Sequence, residues 1–245
     1  MVRGLNSFKE WFRGYENFYA VIGGTACDLL MSEVGGQFRA TKDIDMVLIV
    51  EAITPDFGSR LWEYIKTAGY EHRRKSTNTP EFYRFTDPNS QEYPHMIELF
   101  SRRIEGITLP SDAVLTPFPV DGDISSLSAI LLDDNYYEFL KSGIRIIDGI
   151  SVIDASRLIP FKAKAWLDLE ARRAKGEQID SRNIRKHKND VLQLYDLLPA
   201  DMRIVLPETI EKDMKEFILR NIDGNEEKLL HISKIYEIDE SLPFK

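Results

Sequence analysis

Apolar residues in the first hundred positions follow two different spacings. Leu5, Phe8 and Phe12 recur at the spacing of an amphipathic helix, whereas short β-branched and aromatic runs bounded by turn residues are typical of strands. The pattern therefore predicts a small mixed sheet flanked by helices. The predicted strands are residues 18–22, 43–50, 82–85 and 95–100, and the predicted helices are residues 5–17, 25–34 and 59–68.

The pattern changes at residue 155, from which helical spacing continues almost to the end of the chain. Gly176, Pro199 and Gly224 mark the ends of the helices there. We therefore expect two domains, a catalytic domain at residues 1–154 and a mostly helical domain at residues 155–245. The predicted C-terminal helices are residues 155–174, 180–197, 207–222 and 225–237.

A bridge of mixed character connects these two parts. Residues 105–125 are rich in Pro, Gly, Asp and Thr, which predicts a long connection over the surface. The segments that follow are short and apolar, so they predict strands around one helix. These strands are residues 127–132, 144–147 and 151–153, and the helix is residues 135–141.

Composition and charge restrict the class of protein. With 245 residues, 43% hydrophobic and 29% charged, the chain has the composition of soluble globular proteins and the length of two modest domains. Its net charge of −8 argues against binding nucleic acid through general basicity. A single cysteine, Cys27, forms no internal disulfide, and no apolar run approaches the ~20 residues that span a bilayer. We expect a cytoplasmic protein with no membrane segment.

Asp43 and Asp45 open the apolar strand DIDMVLIV and are the strongest chemical signal. Residues i and i+2 of a strand point to the same face, so the two carboxylates lie side by side. Two like charges this close repel each other unless a cation lies between them, which predicts a metal site. The alternative is a solvated strand entry with incidental acids, because short motifs have a high false-positive rate.

Gly23, Gly24 and Thr25 stand between a predicted strand and a predicted helix. Glycines let the backbone approach a ligand closely, and the free amides at a helix start favour an anion such as phosphate. The paired acids follow 19 positions after Gly24, which leaves room for a helix and a return to a neighbouring strand. A phosphate site and a metal site would then face one cleft. An ordinary tight turn is the alternative.

Glu98 interrupts the short apolar strand HMIELF between Ile97 and Leu99. A charged residue there is costly to bury without a partner. One interpretation is a third carboxylate beside Asp43 and Asp45, which binds metal or accepts the proton of the attacking hydroxyl. The other is an exposed acid on the polar side of an edge strand.

This combination of motifs resembles the DNA polymerase β nucleotidyltransferase superfamily. Its parts, in chain order, are a strand, the motif GG[ST], a helix, the motif D-hydrophobic-D and an acid in a later strand. The string GGTACDLL…FRATKDID is similar to the AbiEii-type branch of this superfamily, the toxin halves of bacterial abortive-infection and toxin–antitoxin pairs. The resemblance covers about residues 18–100. It implies a nucleotidyltransferase fold and nucleoside monophosphate transfer from a triphosphate, with Mg²⁺ or Mn²⁺ held by Asp43, Asp45 and Glu98. It also implies an antitoxin protein as a partner.

The resemblance continues into the second domain through IPFKAKAWLDLEARR and IRKHKNDVLQL. It places a lysine, Lys162 or Lys164, and the cluster of Lys186 and Asp190 at the nucleotide site. Lysines would neutralise triphosphate charge, and an acid on the next helix can orient one of them. Arg39, in R-x-T-x-D-x-D, matches the same branch and would hold a phosphate or brace one of the acids. The alternative is that these charges are solvated helix faces.

The acceptor of the nucleotide stays open between RNA, a protein side chain and a small molecule. Two other classes of function also remain: a catalytically inactive nucleotide-binding regulatory protein, and an interaction protein whose acids are surface residues. Local basicity in the second domain would favour RNA despite the overall acidity. The residues concerned are Lys162, Lys164, Arg172, Arg173, Arg182, Arg185, Lys186 and Lys188.

Overall fold

Among the residues that the structure describes, six strands form one mixed sheet. The structure is a computed structural model that describes residues 2–71, 84–101, 130–131 and 133–238. Along the sheet the strand order is β3-β4-β2-β1-β6-β5, with β2 parallel to β4 and antiparallel to β1. The strands are β1 (Tyr19–Ile22), β2 (Asp43–Leu48), β3 (Arg84–Thr86), β4 (Met96–Phe100), β5 (Ile144–Ile147) and β6 (Ile150–Ile153).

The central strands are buried almost throughout. All four residues of β1 and of β6 are buried, and β2 is continuously buried from Met46 to its end. Such unbroken buried runs are expected for strands covered on both faces. Only the first residues of β2 alternate, with Ile44 buried between two partly exposed aspartates. Of the strands β1, β2 and β6, it is therefore β2, at its start, that brings charged side chains to the surface of the sheet.

The helices described in full in the first unit are α1 (Leu5–Trp11), α2 (Gly23–Glu33) and α3 (Pro55–Ala68). Helix α1 ends earlier than the predicted residue 17, ahead of Gly14, whose φ of +87° is unsuited to a helix. Helix α3 starts before the predicted residue 59, because Thr54 accepts a hydrogen bond from the Phe57 amide and proline occupies the first turn.

An aromatic cluster joins α1 and α3 to β1. Phe8 packs edge-on against Tyr19 with ring centroids 5.5 Å apart, and Phe12 packs against Tyr64 at 5.3 Å. All four rings are almost completely buried. Large buried rings provide much of the apolar area that stabilises a core. The cluster therefore anchors the N-terminal helix to the sheet that carries the candidate site.

The second unit consists of helices. Helix α5 packs against α6 and α7, with Trp166 of α5 edge-on to Phe217 of α7 at 5.4 Å and Tyr136 of α4 edge-on to Phe161 at 5.2 Å. The Tyr236 hydroxyl donates to the Ser156 carbonyl at 2.6 Å. The described helices here are α4 (Asp134–Lys141), α5 (Ala155–Ala174), α6 (Ser181–Leu194), α7 (Glu208–Asn221) and α8 (Glu226–Ile235).

The predicted fold class is confirmed at the level of a mixed sheet flanked by helices and followed by several helices. Two compact units divide the described residues: parts of Met1–Leu131 with Ile144–Asp154, and parts of Leu132–Gly143 with Ala155–Lys245. The division places α4 with the C-terminal helices, although the sequence pattern grouped it with the first domain.

One predicted strand is wrong where it is described. Ile130 and Leu131, within the predicted strand 127–132, are helical. A run of six residues of which five are apolar fits a buried helix as well as a strand, so periodicity alone does not separate them. The rest of that segment and the predicted connection 105–125 lie outside the described residues. No helix in the described part of the chain is long and apolar enough to cross a membrane.

Candidate functional site

The start of β2 positions the two aspartates. Asp43 and Asp45 flank Ile44, which is completely buried, and both aspartates are partly exposed on the opposite face. This alternation follows from the two-residue period of a strand, because Ile44 points into the core and turns its neighbours outward. The two carboxylates therefore lie on one face of the sheet, as the sequence predicts.

Glu98 stands on the neighbouring strand at the level of Asp45. Strands β2 and β4 are parallel, and the register pairs Asp45 with Glu98 and Asp43 with Met96. Residues paired in register point to the same face, and neighbouring strands are about 4.8 Å apart. Glu98 is only 8% exposed. It is therefore a buried acid next to Asp45, rather than an exposed residue on the polar side of an edge strand.

Gly23 brings the N-terminus of α2 against Asp45. Helix α2 follows β1 without an intervening residue, and its first residue, Gly23, makes the change of direction with φ +70°. A Cβ on Gly23 would overlap Asp45 Oδ2 and lie 2.9 Å from Asp45 Cγ. Only glycine combines this left-handed conformation with so close an approach. The helix start and the Asp45 carboxylate are thus in direct contact.

Gly24 makes a second close approach, to the segment that precedes β2. A Cβ on Gly24 would lie 2.9 Å from Thr41 Oγ1 and 3.3 Å from Arg39 Nη2. The Arg39 guanidinium also lies over the Phe38 ring, 5.0 Å from its centroid. The R-x-T-x-D-x-D segment therefore places an arginine beside the first turn of α2, where a cation would reinforce an anion site.

The side chain of Thr25, which the sequence predicts in the phosphate site, is bonded within the protein. Its side chain is fully buried and its hydroxyl donates to the Asp43 carbonyl at 2.6 Å. This bond ties α2 to the start of β2. The first turn of α2 contains no acidic residue, and no side chain in the described part of the chain caps its start. Its first amides have no acceptor within the helix, as at every helix start.

Asp43 carries an unsatisfied oxygen at this site. Its Oδ1 atom is buried, and it has no hydrogen-bond partner among the described residues. A buried polar atom without a partner costs roughly 1–3 kcal/mol, and more when it is charged. Oxygen ligands from one or two carboxylates are what Mg²⁺ uses when it also binds substrate phosphates. Asp43 and Asp45, on one face of the sheet, offer carboxylate oxygens of the kind that such a cation binds.

Glu98 has a partner that the sequence analysis missed. Arg84 of β3 pairs in register with Glu98, and its Nη2 donates to Glu98 Oε1 at 2.8 Å. Within the described ranges, no three His, Cys, Asp or Glu side chains are grouped so that they could hold a metal ion. The predicted third ligand is instead bonded to an arginine. Only the pairing of β3 with β4, a long-range feature, would have identified Arg84.

In the second unit, Lys162 and Asp190 form a buried ion pair. Lys162 Nζ donates to Asp190 Oδ2 at 2.7 Å, linking α5 to α6, and the two residues are 5% and 1% exposed. Charges this deeply buried are tolerated because each neutralises the other. Of the residues predicted at the nucleotide site in this unit, the structure brings these two together.

Lys164 and Lys186 are placed differently. Lys164 donates to Asp213 at 3.2 Å and lies 3.6 Å from Asp168. Burial lowers the pKa of Lys164, but the two carboxylates together outweigh it, so the pKa lies above its ordinary value. Lys186 is exposed on α6. Residues 162 and 164 of a helix point in nearly opposite directions, which explains their different partners.

The proposed basic surface of the second unit is partly neutralised by local acids. Arg172 is bonded to Glu177, Arg173 to Glu170 and Arg182 to Asp180. Exposed pairs of this kind are individually weak. They nevertheless lower the net positive charge that this surface would offer to RNA.

Comparison with known proteins adds no relative to this description. The sequence matches no model of a known protein family, and it matches no curated protein. The resemblance described above therefore rests on the motif residues themselves.

Proposed function

We propose that the chain is a metal-dependent nucleotidyltransferase of the AbiEii-like branch of the DNA polymerase β superfamily. The observation that carries the proposal is the contact between Gly23, at the start of α2, and the carboxylate of Asp45. A helix that starts with glycines favours the binding of phosphate to its first backbone amides. Paired carboxylates favour the binding of the divalent cation that accompanies a triphosphate. These two preferences meet at one point of the first unit.

Each residue of the site has a role in this proposal. The first amides of α2 donate to phosphate oxygens, and Arg39, beside Gly24, adds positive charge there. Asp43 and Asp45 would hold Mg²⁺ or Mn²⁺, for which the unsatisfied Oδ1 of Asp43 is the direct support. When bound, the cation neutralises charge on the attacking and leaving oxygens.

The reaction proposed is an in-line displacement at the α-phosphorus. A hydroxyl oxygen of the acceptor forms a bond to that phosphorus, and the bond to the β-phosphate oxygen breaks. Pyrophosphate leaves with the electron pair. The carboxylate of Glu98, next to Asp45 in register, accepts the hydroxyl proton.

The resemblance assigns part of triphosphate binding to the second unit, through Lys162, Lys164, Lys186 and Asp190. Asp190 holds Lys162 by a buried bond, so removal of the carboxylate would also change the orientation of the ammonium. If these lysines bind phosphate, their replacement by alanine weakens triphosphate affinity. Unchanged affinity would instead make this unit a platform for the acceptor or for an antitoxin.

The test combines binding with transfer. We expect nucleoside triphosphates to raise the melting temperature only when Mg²⁺ is present. Incubation with each labelled triphosphate, Mg²⁺ and a bacterial extract then shows which macromolecule or small molecule becomes labelled. Stabilisation that does not depend on Mg²⁺, or no stabilisation at all, would contradict the proposal.

A second candidate is a nucleotide-binding regulatory protein without turnover. The bond between Arg84 and Glu98 favours it, because the proposed proton acceptor already has a cationic partner. Pyrophosphate release separates the two candidates. A regulator would show Mg²⁺-dependent stabilisation by the triphosphate and release no pyrophosphate.

A further inference from the structure

Arg84, Glu98 and Asp45 form one charged row across three neighbouring strands. Arg84 pairs in register with Glu98, and Glu98 pairs in register with Asp45. All three side chains therefore point to the same face of the sheet. The row runs from a cation on the edge strand β3 to the carboxylate that touches Gly23.

Arg84 differs from Glu98 in its exposure. The Arg84 side chain is 42% exposed, whereas that of Glu98 is 10% exposed. A buried carboxylate needs a partner, and a guanidinium is well suited to bind one. Asp43 contrasts with it, because its buried Oδ1 has no hydrogen-bond partner in the part of the chain described. Of these two acids, Asp43 is therefore the one with a carboxylate oxygen available to bind a ligand.

We propose that Arg84 keeps Glu98 out of the metal site, so that the first unit binds one divalent cation, at Asp43 and Asp45. This inference rests on the proposed function. A second cation at Glu98 would have to displace the guanidinium or lie beside it, and like charges repel strongly at such distances. Glu98 is then a carboxylate positioned by arginine, and Arg84 is its positioning residue.

The experiment counts Mn²⁺ bound to the full chain without nucleotide, from the free Mn²⁺ signal in electron paramagnetic resonance. The wild-type protein should bind one Mn²⁺ tightly. Arg84→Gln should bind a second, at least about tenfold more tightly than any second site of the wild type. Arg84→Lys keeps the charge and should bind one. The double variant Arg84→Gln/Glu98→Gln should also return to one.

Arg145→Gln is the matched control. Arg145 lies on the opposite edge strand, β5, is similarly exposed and is bonded to Glu33 at 2.7 Å. Its replacement removes the same charge and one ion pair from the same sheet, and should leave the Mn²⁺ count at one. A second ion in this control would show a general effect of net charge and would overturn the assignment to Arg84.

Glu98→Gln tests the same idea without changing Arg84, in case Arg84→Gln fails to fold. If Glu98 is not a ligand, the variant keeps Mn²⁺ affinity within about threefold of the wild type, whereas Asp43→Asn weakens it at least about tenfold. Equal losses would overturn the inference. Two tight ions in the wild type would overturn it and leave the proposed function standing, whereas no Mn²⁺ binding at all would remove both.

Discussion

Asp43 in the first unit and Asp190 in the second both have buried carboxylate oxygens, but their surroundings differ. Asp190 accepts a 2.7 Å hydrogen bond from Lys162, and both residues are almost completely buried. The Oδ1 atom of Asp43 is buried and has no hydrogen-bond partner among the described residues. The first carboxylate is bonded within the protein, whereas the second keeps one buried oxygen without a hydrogen bond to the described residues.

This difference separates two meanings of an acidic residue in a sequence. A carboxylate bonded to a lysine contributes to folding, and its loss leaves a buried charge uncompensated. A carboxylate with an unsatisfied oxygen costs stability in the absence of ligand, so its loss affects binding more than folding. Four effects of substitution, taken from the largest expected to the smallest, test this distinction.

The largest effect is expected at the unsatisfied acid. Asp43→Asn should lower the rate of nucleotidyl transfer about a thousandfold or more, because a metal-bound centre supplies several kcal/mol of transition-state stabilisation. Asp45→Asn should act in the same way. The melting temperature without ligand should stay constant or rise, because one of two neighbouring like charges is removed.

The control for this pair is Asp148→Asn. Asp148 is an exposed acid of the same unit that is bonded to Lys9, and its replacement should leave transfer unchanged. Transfer by Asp43→Asn at the wild-type rate with Mg²⁺ would show that the metal assignment is wrong. A large fall in melting temperature would show that Asp43 contributes to folding, as Asp190 does.

The second effect concerns the buried ion pair. Lys162→Met or Asp190→Leu alone should lower the free energy of unfolding by about 3–5 kcal/mol, because each leaves a buried charge without its partner. The double variant should lose clearly less than the sum of the two. Urea unfolding of the four proteins gives the coupling free energy.

An exposed pair of the same chemistry provides the comparison for this cycle. Lys228 and Asp196 are bonded at 2.8 Å with side chains 42% and 55% exposed. The same cycle there should give a coupling of about 1 kcal/mol or less. If the two cycles gave equal coupling, burial would not be what distinguishes Lys162 and Asp190.

The third effect concerns the contact between the helix start and Asp45. Gly23→Ala should lower the free energy of unfolding by about 3 kcal/mol, since it adds a clash to the 1–2 kcal/mol of left-handed backbone. Gly35→Ala is the matched control, because Gly35 has φ +73° and nothing within 4 Å of an added Cβ. In Gly35→Ala, the free energy of unfolding should fall only by the roughly 1–2 kcal/mol that the left-handed backbone costs. Equal losses in thermal unfolding would mean that Asp45 moves aside without cost.

Local sequence patterns predict most of the helices and strands. They predict least about contacts that depend on how separate segments of the chain pair. Strand β5 has the predicted bounds, and the alternation around Ile44 places Asp43 and Asp45 on one face. The partners of these acids depend on register between distant strands. Arg84 and Glu98 are 14 positions apart, and nothing in either strand alone indicates that they are bonded.

The same limit applies to the second unit. Helical spacing predicts α5 and α6, but the choice of Asp190 for Lys162, and of Asp213 for Lys164, depends on how helices pack. Gly23 shows a different limit. Glycines between a strand and a helix predict a change of direction, but not that a single residue, Gly23 with its left-handed φ, makes it at the first position of the helix.

The smallest effect separates two acids that share Lys164. Asp213 accepts hydrogen bonds from the Tyr136 hydroxyl at 2.9 Å and from Lys164 at 3.2 Å, and Asp213→Asn should lower the free energy of unfolding by about 1–2 kcal/mol. Asp168 lies 3.6 Å from Lys164. Burial, together with the neighbouring Asp213, raises the pKa of Asp168 by more than Lys164 and Arg172 lower it, so Asp168→Asn should be neutral or slightly stabilising at pH 7.

The pH dependence of the free energy of unfolding shows whether ionised Asp168 stabilises or destabilises the folded protein. Because the pKa of Asp168 is higher in the folded protein than its ordinary value of 3.8, its ionisation opposes folding. That cost is absent below the ordinary value and develops as pH rises through the folded pKa. Relative to the wild type, Asp168→Asn should therefore gain stability between about pH 3.5 and pH 7 in urea unfolding. A relative loss over this range would mean that Lys164 stabilises Asp168 in the same way as Lys162 stabilises Asp190.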